Sequence, residues 1–390
     1  MLSPGARAKL SAAVESAAQS EPPRGARPGR IVFLDGMRGI ASLLVVIFHL
    51  LWHPLSEVSP RAAAATVFGF HGVTIFFVVS GFAITQSLAG LWITPPTAGR
   101  FLLRRVCRLD PPYWASLVLV LAIGAAARVL LHQPAPEATV GASGFLAHVF
   151  YLQYFLDVPS LQDVYWTLAF EIQFYLVLVL LLAAHQRLAP VLERRLARGG
   201  EALAFAVVFA GPLAYSLLSL RGLVPTPRGA CFQSWYVFFI GVAAQRLVAR
   251  DDWRTFGLVL LASAASAGHG QITQVAIGFA LLIALGHHRR KLGVWLSGRG
   301  WQLLGRISYS LYLVHAIVGG RFGNLLNRLF SPTPVGRVLT ALASGVAAVA
   351  FAQLFWWAVE RPSLALSRRI SVRAAPEPAA AREGALTVAR

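Results

Sequence analysis

Acidic residues are scarce in this chain. Asp and Glu number 16 against 35 Lys and Arg, and charged residues occupy only 13% of 390 positions. An average soluble domain carries about 25%, so an all-round water-facing surface is excluded. Cysteine is scarcer still. Cys107 and Cys231 are the only two, which rules out a disulfide framework. Histidines lie singly, apart from His287-His288 in a basic segment, so no metal-ligand spacing is present and no metal is expected. A glycine-rich phosphate loop and a Gly-x-Ser-x-Gly elbow are also missing, which removes the usual soluble nucleotide and hydrolase motifs. The formal charge of +19 would suggest nucleic acid in a soluble protein. Here 56% of residues are hydrophobic, and long apolar runs assign the chain to the membrane instead. No nucleic-acid partner is expected.

The predicted class is an all-α, polytopic membrane protein of about ten spans, near 31–52, 68–89, 113–131, 165–184, 202–220, 232–248, 254–267, 272–286, 303–319 and 338–359. The seventh and eighth are short and could instead form a re-entrant pair. With the N-terminus inside, the outer segments hold only Arg61, Arg128, Arg221, Arg228, Arg321, Arg328 and Arg337 of the 35 basic residues. That asymmetry places both termini in the cytoplasm. Residues 1–30 read as a disordered cytoplasmic tail, 31–360 as one transmembrane domain and 361–390 as a second tail. Gly99 to Pro112 reads as an inner loop with a short interfacial helix that the double proline stops. The outer loop from His132 to Tyr165 carries Glu137, Asp157 and Asp163, and its Tyr151-Leu-Gln-Tyr-Phe segment is expected on the membrane surface.

The first span, IVFLDGMRGIASLLVVIFHLLWH, holds three groups that lipid rejects: Asp35, Arg38 and His49. Ionisable residues inside a span cost roughly 2.5–3.5 kcal/mol on insertion scales and mark function by default. Eleven residues separate Arg38 from His49, about three turns plus 20°, so both lie on nearly one face, roughly 16 Å apart along the axis. Asp35 is one turn from Arg38, within pairing distance. Such a face suits an elongated ligand with an anion at one end.

Other spans add polar groups. The second contains FFVVSGF, whose Ser80 and Gly81 suit close helix packing. The fourth, WTLAFEIQFYL, holds Glu171, with Tyr175 one turn on. The ninth, GRISYSLYLVH, puts Ser308, Tyr312 and His315 on one face, with Tyr309 beside them. Two histidines, a glutamate and an arginine in separate spans are most cheaply satisfied by one shared polar cavity. A histidine base, carboxylates to orient it and arginines to hold an anion are the chemistry present. A proton-coupled secondary transporter would use the same charges, but neither repeated halves nor interrupted helices are found.

The motifs, in this order, resemble the acyltransferase family 3 membrane proteins. LDGMRGIASLLVVIFH is similar to that family's opening motif, with Arg38 and His49 on its basic and histidine positions. GVTIFFVVSGFAIT, RRVCRLDPPYW, WTLAFEIQFYL, GRISYSLYLVH and VERPSLAL are similar to the motifs that follow. Thr167 stands where the family commonly has Ser, Thr74 where many members have Asp, and Asp110 enters an apolar position. The resemblance implies an O-acyltransferase of the bacterial cytoplasmic membrane. It would move an acyl group, often acetyl, from acyl-CoA to a hydroxyl of a sugar, glycolipid or natural product. It also implies that Arg105 and Arg108, with Arg38, handle the CoA donor. His49 would act as general base or acyl carrier, with Glu171 or Asp35 fixing its tautomer.

Overall fold

The computed structural model describes residues 31–132, 140–196, 199–267, 270–329 and 333–372. The segments expected as tails therefore lie outside the described residues over 1–30 and 373–390. Every regular element among the described residues is helical. In chain order they are α1 (Val32–Val58), α2 (Pro60–Val67), α3 (Gly72–Leu88), α4 (Pro95–Leu131), α5 (Ala142–Val149), α6 (Trp166–Leu196) and α7 (Gly200–Leu220). The rest are α8 (Phe232–Arg250), α9 (Trp253–Ala267), α10 (Gln271–His288), α11 (Arg299–Val314), α12 (Gly320–Leu329), α13 (Pro334–Phe355) and α14 (Arg361–Arg369).

Seven helical stretches among the described residues are long and apolar enough to cross a membrane. The remaining expected spans are helical too, but each fails for a visible reason. At 15 residues, α9 reaches about 22 Å, short of a ~30 Å hydrocarbon core. The amphipathic α11 gives way at His315–Gly319 to a π turn. In α8, Arg246 lowers the hydropathy, yet the helix is buried along most of its length. Arg246 is matched there by Glu201 at 3.2 Å and Asp252 at 2.9 Å, and its guanidinium lies 3.9 Å over the Phe205 ring. Beyond the helix end, the Asp252 carboxyl is held below its usual range. Its burial acts the other way, and the Thr255 backbone N–H and Arg246 outweigh it.

Glycine sets the two tightest crossings. The α1 and α11 axes approach where a Cβ on Gly39 would stand 2.7 Å from the Gly305 nitrogen. Gly81 and Gly241 bring α3 against α8 in the same way, the packing role expected for Gly81. In membranes such small-residue contacts replace the hydrophobic drive that water supplies elsewhere. Residues 35–39 of α1 meet residue 305 of α11, and His49 meets His315. The two helices are therefore parallel, and their functional faces run side by side.

One loop expectation is corrected, and another holds on one side of its segment only. No loop ends at Pro112, because α4 runs unbroken for 37 residues through Pro111 and Pro112. Two prolines normally break a helix by removing N–H donors. Here buried Phe101, Tyr113 and Leu117 hold the helix in the bundle, and the Tyr309 hydroxyl donates to the Leu109 carbonyl at 2.8 Å within the proline turn. The Tyr151 segment leaves Leu152 and Phe155 exposed, as a strip on the membrane surface would, but turns its other side inward. Tyr151 is buried, stacks on Tyr113 at 4.7 Å and donates to Asp110 Oδ1 at 3.0 Å. That bond also accounts for the unusual Asp110.

His148 fixes this inward fold. Its Nδ1–H donates to the Gly144 carbonyl at 2.8 Å, and Nε2 accepts from the Leu161 N–H at 3.0 Å. Both nitrogens are committed to the neutral ring, and burial holds its pKa below the ordinary value. The segment's stability should be full above the unfolded pKa of about 6.5 and fall as pH drops below it, because the unfolded chain then binds the extra proton. The protection factor of the Leu161 amide, which corrects for the intrinsic exchange rate, should fall with acid in that window. His148→Ala should cost about 1–3 kcal/mol of local protection and abolish the acid dependence. A flat pH response in the native chain would show that His148 does not hold the loop.

Candidate active site

The expected polar residues gather in two connected places. The first is a cluster of charged side chains towards the end of the bundle where α1 begins. Arg105 and Arg108 on α4 lie deep in the bundle yet remain partly uncovered. Arg105 donates to Ser87 Oγ at 2.9 Å and lies 5.7 Å over the Tyr175 ring. Its charge feels Glu171 and Arg38, and Arg108 feels Arg105, Arg38 and Glu360. Glu171 on α6 accepts from Ser80 at 2.5 Å and from the Tyr175 hydroxyl. Arg38, Arg105 and Arg108 bring three guanidinium groups together here, the group type that holds an anion.

Glu360 is a site residue that reading the chain did not single out. It is 5% exposed, ends the π turn Trp356–Glu360, and accepts from Ser310 N at 3.1 Å and Ser310 Oγ at 2.5 Å. The available signal was a lone acid at the end of an otherwise apolar span, just before Arg361-Pro362. Asp35 sits in the first turn of α1, where a helix N-terminus favours a negative charge.

The second place lies along α11. Tyr309 stands near Glu171 and Glu360. One turn on, Tyr312 donates to the Val164 carbonyl at 2.9 Å and meets Thr167 Oγ1 at 2.7 Å, its ring 6.0 Å from that of His315. Thr167, the substitution within its motif, thus keeps the hydroxyl the position needs. Ser308, buried, closes on the Gly305 carbonyl at 2.9 Å.

The histidine pair ends this stripe. His315 Nδ1 is 2.9 Å from the Tyr312 carbonyl and 3.1 Å from that of Leu311, both acceptors, so Nδ1 carries the proton and Nε2 a lone pair. His49 Nδ1 is 2.9 Å from the Val45 carbonyl and 3.4 Å from His315 Nε2. It therefore donates to both, and the His49 lone pair falls on Nε2, on a side chain that is exposed. The expectation that Glu171 or Asp35 orients His49 is not met in the hydrogen bonding among the described residues. Glu171 is engaged with Ser80 and Tyr175, and His315 takes the orienting place.

Residues 31–357 match a family model described as an acyltransferase domain. A membrane-bound transacylase, BcsY, of Komagataeibacter xylinus is 34% identical over 169 residues, 40% of this chain and 39% of that protein. The peptidoglycan O-acetyltransferase OatA of Listeria monocytogenes is 31% identical over 159 residues, 37% of this chain and 23% of that protein. The chain thus aligns with well under half the length of either relative. No solved structure matches the chain. The family match spans the helices that carry Arg38, His49, Arg105, Glu171 and His315, and on it the chain belongs to the membrane acyltransferase domain family, acyltransferase family 3.

Proposed function

We propose that the chain is an acyl-CoA-dependent O-acyltransferase that moves an acyl group, acetyl in the expected case, to a hydroxyl of a glycan, glycolipid or small natural product. The name of the Listeria relative supports acetyl as the group and oxygen as the acceptor atom. The observation that carries the reading is the fixed tautomer of His49. Backbone carbonyls hold the proton on His315 Nδ1, His315 Nε2 accepts from His49 Nδ1–H, and His49 Nε2 is left as a base.

With the α1 N-terminus cytoplasmic, as the arginine distribution supports, the CoA phosphates would meet Arg105, Arg108 and Arg38. The roughly 16 Å from Arg38 to His49 then accommodates the pantetheine arm along α1. Two routes use the same nitrogen. In the first, Nε2 takes the acceptor hydroxyl proton while the oxygen attacks the thioester carbon. The C–S bond breaks, and the thiolate recovers that proton. In the second, Nε2 attacks the carbon itself and the C–S bond breaks, after which the hydroxyl oxygen displaces the imidazole from the acyl carbon and the hydroxyl proton passes to the thiolate. Either way His49 becomes cationic, and the His315 lone pair steadies the Nδ1–H it faces.

Purified protein supplied with labelled acetyl-CoA and an acceptor should release CoA and label the acceptor. Absence of any donor turnover would defeat the proposal. Arg105→Ala and Arg108→Ala should each raise KM for acetyl-CoA by about tenfold or more, since a charged hydrogen bond contributes about 1.5–3 kcal/mol. Their kcat should change little, because phosphate contacts act in the ground state and transition state alike. A fall in kcat with KM unchanged would remove these arginines from donor binding.

A further inference from the structure

A crevice of about 740 Å³ opens between α1, the turn Phe68–His71, α8, α10 and the ends of α7 and α9. It is separate from Arg38, Arg105 and Arg108, although Arg221, which donates to the Ser266 and Ala265 carbonyls, lines it, and its size suits a ligand of several hundred daltons. Its walls are mainly aromatic and apolar, with Phe48, Phe70 and Tyr236 among them. Phe48 is also the neighbour of His49: its ring stands edge-on to the His49 ring at 5.0 Å and to Phe70 at 5.8 Å. Phe48 thus borders both this crevice and the exposed imidazole.

Polar groups are few and grouped. The Tyr236 hydroxyl meets Thr273 Oγ1 at 3.1 Å, and His71 Nε2 meets Gln271 Oε1 at 3.2 Å. An amide oxygen only accepts, so His71 Nε2 bears the proton and Nδ1 the lone pair. His71 is 4% exposed, and its Nδ1 has no partner among the described residues. A buried acceptor left unpaired costs about 1–3 kcal/mol, and a hydroxyl proton would answer it. The mouth is mixed. Val67, Leu220 and Ile272 are 39%, 39% and 42% exposed, and Arg221, Gly270 and Gln271 are exposed beside them. In a membrane chain the apolar side of such a rim suits acyl chains and the polar side suits water, which fits a ligand that has both.

We propose that this crevice binds the acyl acceptor, and that the acceptor is an amphiphile: a hydroxyl-bearing headgroup on an alkyl or isoprenoid chain that reaches the site through the membrane. The assignment rests on the acyltransferase reading above. The headgroup lies by His71, Gln271 and the Tyr236–Thr273 pair, the chain leaves between Val67 and Ile272, and Phe48 separates the headgroup from His49 until it turns aside.

The test uses the full chain in phosphatidylcholine nanodiscs and two photoreactive probes, a dodecyl glucoside with a diazirine in its alkyl chain and the matching diazirine alkane. The glucoside should label the segments around 67–73 and 270–273 saturably, and dodecyl glucoside but not glucose should compete. Val67→Trp, which fills the mouth from an exposed position, should cut that labelling by at least about tenfold, equivalent to about 1.4 kcal/mol. Ile272→Trp blocks the opposite lip and should do the same. Both variants should hydrolyse acetyl-CoA without acceptor within about twofold of the parent, since the donor contacts are untouched. Equal labelling by the alkane would mean unspecific lipid filling and overturn the proposal. Competition by glucose would make it a water-soluble sugar site, and labelling unmoved by both Trp variants would place the probe elsewhere. Because labelling requires no acetyl-CoA, a chain that labels as expected but never consumes the donor would refute the acyltransferase reading and the acceptor role with it, leaving an amphiphile-binding crevice.

Discussion

His49→Ala is expected to lower acyl transfer per folded molecule by about 10²–10⁴-fold if His49 acts only as a base, and further if it carries the acyl group. Insertion should survive. The imidazole is exposed, its donor contacts are to Val45 O and His315, and removing an ionisable group from a span relieves burial cost. Transfer must be normalised to inserted protein, because a purely structural histidine would lower yield while each surviving molecule kept its activity. Undiminished specific activity would end the proposed mechanism. The two routes also separate here. Incubation with labelled acetyl-CoA and no acceptor should leave hydroxylamine-sensitive label on the parent chain, and none on His49→Ala, only if an acyl-imidazole forms.

His315→Leu is the second large effect. The leucine cannot accept from His49 Nδ1–H, so His49 should keep the tautomer that the Val45 carbonyl selects but lose the second acceptor that steadies its charge. We expect kcat to fall by about 10–10²-fold, the loss of one charge-assisted hydrogen bond of about 1.5–3 kcal/mol. KM for acetyl-CoA should stay within about twofold, since the arginines are untouched. His315→Gln should recover most of the rate. Its amide can donate towards the Tyr312 carbonyl and accept from His49 at once. A packing role predicts otherwise: both variants would lose folded protein alike, and the kcat of what remained would not change. Equal kcat for His315→Leu and the parent would remove His315 from the mechanism.

Glu171 and Glu360 show why a sequence stops short of a site. Both are lone acids in apolar helices, so both were detectable, but nothing local tells which group each acid serves. Glu171 turns to Ser80 and Tyr175, and Glu360 is bound by Ser310 from 50 positions away. Spacing within one helix fixes the face a residue occupies; the partner on that face comes from which helix packs there. Asp110 and Tyr151 make the same point across a loop. Charge distribution alone put them on opposite sides of the membrane, whereas the segment after α5 folds back to meet α4.

The residues alone determined the helical membrane class, the family resemblance, the common face of Arg38 and His49, and the packing role of Gly81. These follow from apolar run length and a 3.6-residue period, which are local properties of a chain whose backbone must satisfy its own hydrogen bonds in lipid. Tertiary structure decided that α4 passes through two prolines, that His315 faces the Nδ1 of His49, and that Phe48, next to His49, lines a second crevice. Those outcomes depend on which backbones approach closely, as at Gly39 with Gly305. A contact of that kind is set by two distant segments together, and neither segment encodes it by itself.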